Sequence, residues 1–240
     1  IVQSGVLGKI HSVRMSSARN VYPGFGKTPV TNPPAEIDYD MWLGPAPKKP
    51  YQNHRALYHF RWFWDYSGGQ MTNLGAHSID QMHYIMGVKY PTIVESTGGR
   101  YALEDDGETP DLQDALFVYP GFVLSYAIRE ANGQRISPGI IYHGTKGNLV
   151  QGSNEIIPEM RGDPVNQIPR FVGHPIGGPV YSQTKPTPWI PASKPVPRAK
   201  GAGPMEDTMA LNKRDWLQSM RTRKLPFCDI EGGNYVAVTT

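Results

Sequence analysis

The chain has 240 residues, a net charge of +3, one cysteine, and only 19% charged residues beside 26 glycines and 23 prolines. That length is ample for a real hydrophobic core, and the single Cys228 excludes an internal disulfide framework and any CxxC metal or redox motif. The basic residues form no block that would argue for nucleic acid, no apolar run approaches a membrane span, and no stretch reads as a signal peptide.

The opening "IVQSGVLGKI" reads as mid-stream sequence, with Gly5 and Gly8 marking a helix end and a turn into a strand. "KIHSVRMSSA" (Lys9 to Ala18) alternates roughly and predicts that strand. Pro23 to Tyr51 is loop, punctuated by Pro and Gly, with one helical turn expected around Trp42. A helix is predicted from about Asn73 to Met86.

Beyond that helix the period changes. "PTIVESTGGRYA", "LQDALFVYP", "FVLSYAIRE", "GIIYHGTKGNLVQG" and "NEIIPE" carry β-branched and aromatic residues between turn signals. "YPGF" (Tyr119 to Phe122) predicts a hairpin and "HGTKGN" a second turn, with Lys146 solvated in it. The middle third therefore predicts a largely antiparallel sheet. Arg161 to Pro204 holds ten prolines and no period. It is a long loop segment (about 160–204), either a solvated arm or a segment that lines a site. Met205 to Lys224 predicts a helix opened by acids and closed by bases, as its dipole favours, and stopped at Leu225 and Pro226. "EGGNYVAVTT" looks like the opening turns of one more helix. No GxGxxG or GxxxxGK[ST] loop occurs anywhere.

The stretch "WDYSGGQMTNLGAHSIDQMHYIMG" (Trp64 to Gly87) concentrates the chemistry. On a wheel of about 100° per residue, Asp80, Gln81 and Tyr84 fall within roughly 60° of His77, while Leu74, Ile79, Met82, Ile85 and Met86 gather opposite. Thr72 or Asn73 would cap the helix, and Gly87 would end it. His77 would then lie in the first turn, where the dipole favours neutral imidazole and Asp80 opposes it. "HSIDQMH" also offers a metal set, but His77 and His83 stand about 120° apart, so no metal site is expected. Spacing alone leaves His77 either a structural helix histidine or a general acid/base. Tyr58, Arg61, Trp62 and Trp64 precede the glycine turn; they supply the aromatic faces and basic donor of a sugar site, or pack the domain edge. Asp65 is expected to cap the Gly68–Gly69 turn.

"QSGVLGKIHSVR", "IDYDMWLGPAP", "WFWDYSGGQMTNLGAHSIDQMHY", "HGTKGNLV" and "WLQSMRTRKLPFCDIEGG", in this order, resemble the C-terminal portion of Gfo/Idh/MocA oxidoreductases, in the bacterial-type branch with a long Pro-rich segment. The resemblance implies an α+β fold over 1–240 as a single substrate and oligomerisation domain: an open, mostly antiparallel sheet, from about Tyr90 to Glu159, with the helices at 73–86 and 206–223 on one face. It implies His77 as catalytic residue. Asn73, Asp80, Tyr84, Arg61, Trp64 and Tyr58 are then expected on the substrate side. Asn73 stands where the family's D-x-G-x-[HY] pattern usually has an acid.

The family's dinucleotide-binding domain and its E-K-P segment are missing from these residues. NAD or NADP is accordingly expected only in a longer protein, of which this chain would be a fragment. The implied function is the substrate and catalytic-base portion of an oxidoreductase acting on a sugar or polyol, with a homo-oligomer formed through the sheet face. Two alternatives stay open: a nicotinamide-independent, metal-assisted lyase or hydratase on a keto-sugar, and a non-catalytic carbohydrate-binding or oligomerisation module. A disulfide-free chain fits a cytoplasmic or a periplasmic setting.

Overall fold

The computed structural model describes residues 1–132, 139–151, 155–157, 196–197 and 208–240. The Pro-rich segment lies outside the described residues except for 196–197. Among the described residues eight strands form one sheet: β1 (Ile10–Ala18), β2 (Ile93–Gly99), β3 (Leu112–Tyr119), β4 (Phe122–Arg129), β5 (Ile141–Gly144), β6 (Gly147–Val150), β7 (Glu155–Ile157) and β8 (Val196–Pro197). Their spatial order is β2-β3-β4-β1-β5-β6-β7-β8. Every neighbouring pair is antiparallel except β1 and β4. The α+β class and the mostly antiparallel sheet are as the sequence predicts.

The position of β1 is a correction. The sequence starts the sheet near Tyr90, yet β1 enters its middle, parallel to β4 and antiparallel to β5. This joins Val13 to Leu124 and Met15 to Tyr126, residues 111 apart in sequence, and local periodicity carries no signal for such a pairing.

One sheet face forms the core. Register aligns Val13 and Met15 with Leu124 and Tyr126, then with Phe117 and Ala115, and all six are buried. Among the described residues five α-helices accompany the sheet: α1 (Tyr39–Leu43), α2 (Asn53–Ala56), α3 (Ala76–Met86), α4 (Thr208–Thr222) and α5 (Ile230–Thr239). α3 lays Ile79 and Met82 on that face and α5 adds Val236. Burying an Ile or Met side chain is worth about 1.5–3 kcal/mol, so this seam fixes which stripe of α3 faces outward.

The helix expected at 206–223 forms as α4 but does not bury its apolar side. Leu211, Leu217 and Met220 are exposed and Trp216 keeps 59% of its surface. α5 takes the place beside α3 instead, with Val236 and Thr239 buried. Amphipathicity says that a helix has an apolar side. It does not say which surface will cover it, and the more apolar "NYVAVTT" wins the contact.

The start of the central helix is also corrected. Gln70 is already helical (φ −72°, ψ −25°), and a π-helical turn spans Met71–Gly75 before α3. Neither Thr72 nor Asn73 is therefore an N-cap. Thr72 Oγ1 instead accepts from the Gly68 backbone N–H, inside the turn. Gly69 (φ +70°) makes the entry, where a Cβ would come within 2.6 Å of Thr109. At Gly75 a Cβ would stand 3.2 Å from Tyr126, so a glycine lets the π turn close on the sheet.

Candidate functional site

The polar stripe of α3 faces away from the sheet as the wheel predicts. His77, Asp80, Gln81 and Tyr84 are all exposed. Leu74, placed on the apolar arc by the wheel, is exposed too. The π turn widens the helix there and breaks the 100° step that the wheel assumes. His77 lies about two turns inside the continuous helical backbone, not in its first turn. Dipole effects fade within the first turn, so the argument that the helix N-terminus keeps this imidazole neutral does not hold. Among the described residues no hydrogen bond or ion pair engages His77.

His83 points the other way. It is buried, with Nε2 2.7 Å from the Tyr119 hydroxyl. Burial lowers its pKa to about 4, which keeps the ring neutral. Among the described residues no three His, Cys, Asp or Glu side chains converge as a metal site.

A groove of about 510 Å³ runs between the C-terminal half of α3 and residues 227–235. Asp80, Gln81 and Tyr84 form one wall; Phe227, Cys228, Asp229 and Tyr235 form the other. Tyr84 and Phe227 meet edge to face at 6.2 Å. Asp80, Asp229 and Glu231 outnumber Lys89, which itself pairs with Glu231 at 3.7 Å. The lining is thus net acidic and suits neutral, hydroxyl-rich molecules better than phosphates. Burial first, then the Asp80 charge, raises the Cys228 pKa, so this thiol is a poor nucleophile. His77 lies on the same stripe one turn before Asp80 and is not among the residues that line the groove.

A second cluster sits at the C-terminal ends of β1 and β4. Glu130 is 1% exposed. Its carboxylate accepts from Arg19 Nε at 2.5 Å, Trp62 Nε1 at 2.6 Å and Gln70 Nε2 at 2.8 Å. Gln70 Oε1 in turn accepts from Asn73 Nδ2 at 3.3 Å. Beside this network Phe25, Tyr58, His59 and Trp62 line a small pocket of about 140 Å³. His59 stacks on Phe25 at 4.3 Å, and its pKa is lowered by burial first and then by His54.

The expected site residues therefore divide. His77, Asp80 and Tyr84 share the stripe. Asn73 joins the Glu130 network. Tyr58 lines the aromatic pocket, while Arg61 is tied to the Tyr58 carbonyl at 2.7 Å and lies over the Tyr58 and Phe60 rings. Trp64 is exposed and lines neither cavity; its backbone N–H donates to Glu108. Asp65 does not cap the glycine turn but pairs with Arg55 at 3.1 Å and with Lys49. Lys146 is exposed in its turn, as read. Sequence reasoning passed over Glu130 and Gln70. A signal for Glu130 existed: Phe122, Leu124, Tyr126 and Ile128 alternate into the core, and Glu130 is next in that register.

The open, mostly antiparallel sheet is the architecture that the sequence resemblance implied. Residues 1–115 match the model of the Gfo/Idh/MocA oxidoreductase family's C-terminal alpha/beta domain. No curated protein matches the chain. Among solved structures, an NAD-binding protein from Listeria innocua aligns over 98% of this chain and 56% of its own, at 12% identity and a TM-score of 0.53. The probable oxidoreductase YhhX aligns over 99% and 55%, at 14% identity and 0.50. The WlbA dehydrogenase from Bordetella pertussis, solved with NADH and UDP-GlcNAcA, aligns over 99% and 52%, at 14% identity and 0.49. At such identities the likeness to the first two is one of fold. The chain spans between 30% and 56% of the length of these and similar structures.

Proposed function

We propose that this chain forms the substrate side of an NAD(P)-dependent oxidoreductase acting on a sugar or polyol, with His77 as general acid/base. The observation that carries the reading is the state of His77. It occupies the histidine position of the family's pattern, and it is exposed and unengaged among the described residues, on a polar stripe that leads into a groove. An imidazole in that state can take the proton of a substrate hydroxyl, or return it to a carbonyl oxygen. Asn73 would hold a hydroxyl, and Asp80 and Tyr84 would line its approach.

The described residues do not fit a dinucleotide. Among them no strand feeds a glycine loop into a helix, and the N-termini of α1 and α5 are already occupied by the carboxylates of Asp38 and Asp229. A pyrophosphate needs free N–H groups there. The nicotinamide would therefore be held by residues other than the described ones, and the proton is what the described residues would handle. The NAD-binding description of the Listeria innocua protein supports the cofactor class.

The open sheet face carries Ile93, Leu116 and Val123 as exposed apolar residues, which supports association with a second copy there. The test of the catalytic reading is His77→Ala in the longer, cofactor-binding protein. A fall in kcat of about a hundredfold or more is expected, the usual scale for a lost general acid/base. His83→Gln should leave kcat within about threefold. Equal losses in the two variants would remove His77 from the role.

A further inference from the structure

Glu130 imposes a direction on two amides in series. A carboxylate only accepts hydrogen bonds, so Gln70 must turn its Nε2 toward Glu130, as it does at 2.8 Å. The Gln70 oxygen then has to point the other way, where it meets Asn73 Nδ2 at 3.3 Å. Asn73 is left with its nitrogen inward and its Oδ1 outward. Among the described residues that oxygen accepts nothing, and it is not buried. Side-chain amides are otherwise free to flip. Here the flip is closed at one end by a buried charge that Arg19 and Trp62 also hold in place.

We propose that Glu130 is a positioning residue which, through Gln70, fixes Asn73 as a hydrogen-bond acceptor facing the substrate. The usual acid of the pattern would present an accepting oxygen together with a charge. The relay presents the oxygen without the charge. The position selects a substrate group that donates, a hydroxyl or an amine, and disfavours a carbonyl or phosphate oxygen there. The catalytic meaning rests on the reading of His77 and Asn73 given above. The relay itself does not.

The experiment separates the two. Asn73→Asp in the 240-residue chain puts a carboxylate against the Gln70 oxygen, with the Glu130 charge behind it. Carbon-detected NMR titration of the introduced carboxyl should show its pKa raised above the ordinary value of about 3.9. Adding Gln70→Met removes the opposing oxygen, and the rise should shrink by at least half. A lowered pKa for the introduced carboxyl would mean that Gln70 has flipped to donate. Either that result, or a rise untouched by Gln70→Met, overturns the relay whether or not the chain belongs to an enzyme. In the cofactor-binding protein, Gln70→Met alone should raise KM for a hydroxyl substrate about tenfold, the scale of one hydrogen bond, and leave the pH profile of kcat in place. A shifted kcat profile with unchanged KM would overturn the positioning role even if the titration upheld the relay.

Discussion

The α3 stripe and the Glu130 network are built from similar side chains, acids, amides and aromatics, and both draw on one continuous helix. They are in opposite physical states. Along the stripe His77, Asp80 and Tyr84 are exposed, and Asp80 and Tyr84 line an open groove. Around Glu130 three donors converge on one buried carboxylate. A buried charge must be paired, because desolvation leaves no other way to hold it. A group that exchanges a proton with a ligand must be left available. The contrast separates residues that hold the geometry from residues that can act within it, and Asn73 is where the two meet.

The largest expected effect tests the holding side. Glu130→Ala leaves the Trp62 N–H and the Gln70 amide unpaired in the core, and should cost about 3–5 kcal/mol in urea denaturation. Asp80→Ala, on the exposed stripe, should stay within about 0.5 kcal/mol. Equal costs would erase the distinction between the regions.

Next in size is a pH effect at His83. Its pKa is about 4 in the folded chain against 6.5 when exposed. Between those values the unfolded chain binds a proton that the folded chain refuses. The contribution is whole above pH 6.5 and is lost as the pH falls toward 4, up to about 3 kcal/mol. His83→Gln keeps a neutral partner for Tyr119 and should flatten the difference in stability between pH 7 and pH 4.5. An unchanged slope would show that acid sensitivity arises elsewhere.

His77→Ala sharpens the acting side. Its hundredfold loss of kcat amounts to about 2.7 kcal/mol of transition-state stabilisation, while stability should move by no more than about 0.5 kcal/mol. A large loss of stability would place His77 with the holding residues. The smallest effect is expected on α4: Trp216→Ser should change the stability of the chain by less than about 0.5 kcal/mol, because Trp216 is 59% exposed. A cost above about 2 kcal/mol on urea denaturation would show that α4 is covered in solution.

The polar stripe was legible because periodicity is local. Side chains three and four residues apart share a helix face wherever the helix lies, so the outward side of α3 followed from spacing, and the strands followed from alternation and turn chemistry. The sequence by itself determined the kinds of element, the two turns and the stripe that carries His77. Only the tertiary structure decided that β1 enters the middle of the sheet, that α5 rather than α4 covers α3, and that the helix begins at Gln70 through a π turn. It alone brought Arg19, Trp62 and Gln70 onto Glu130, across sequence separations of 111, 68 and 60 residues. The physical reason is the same in each case. Local pattern specifies the face that an element offers, whereas the partner of that face is chosen by competition among distant segments for the same buried surface and the same buried charge.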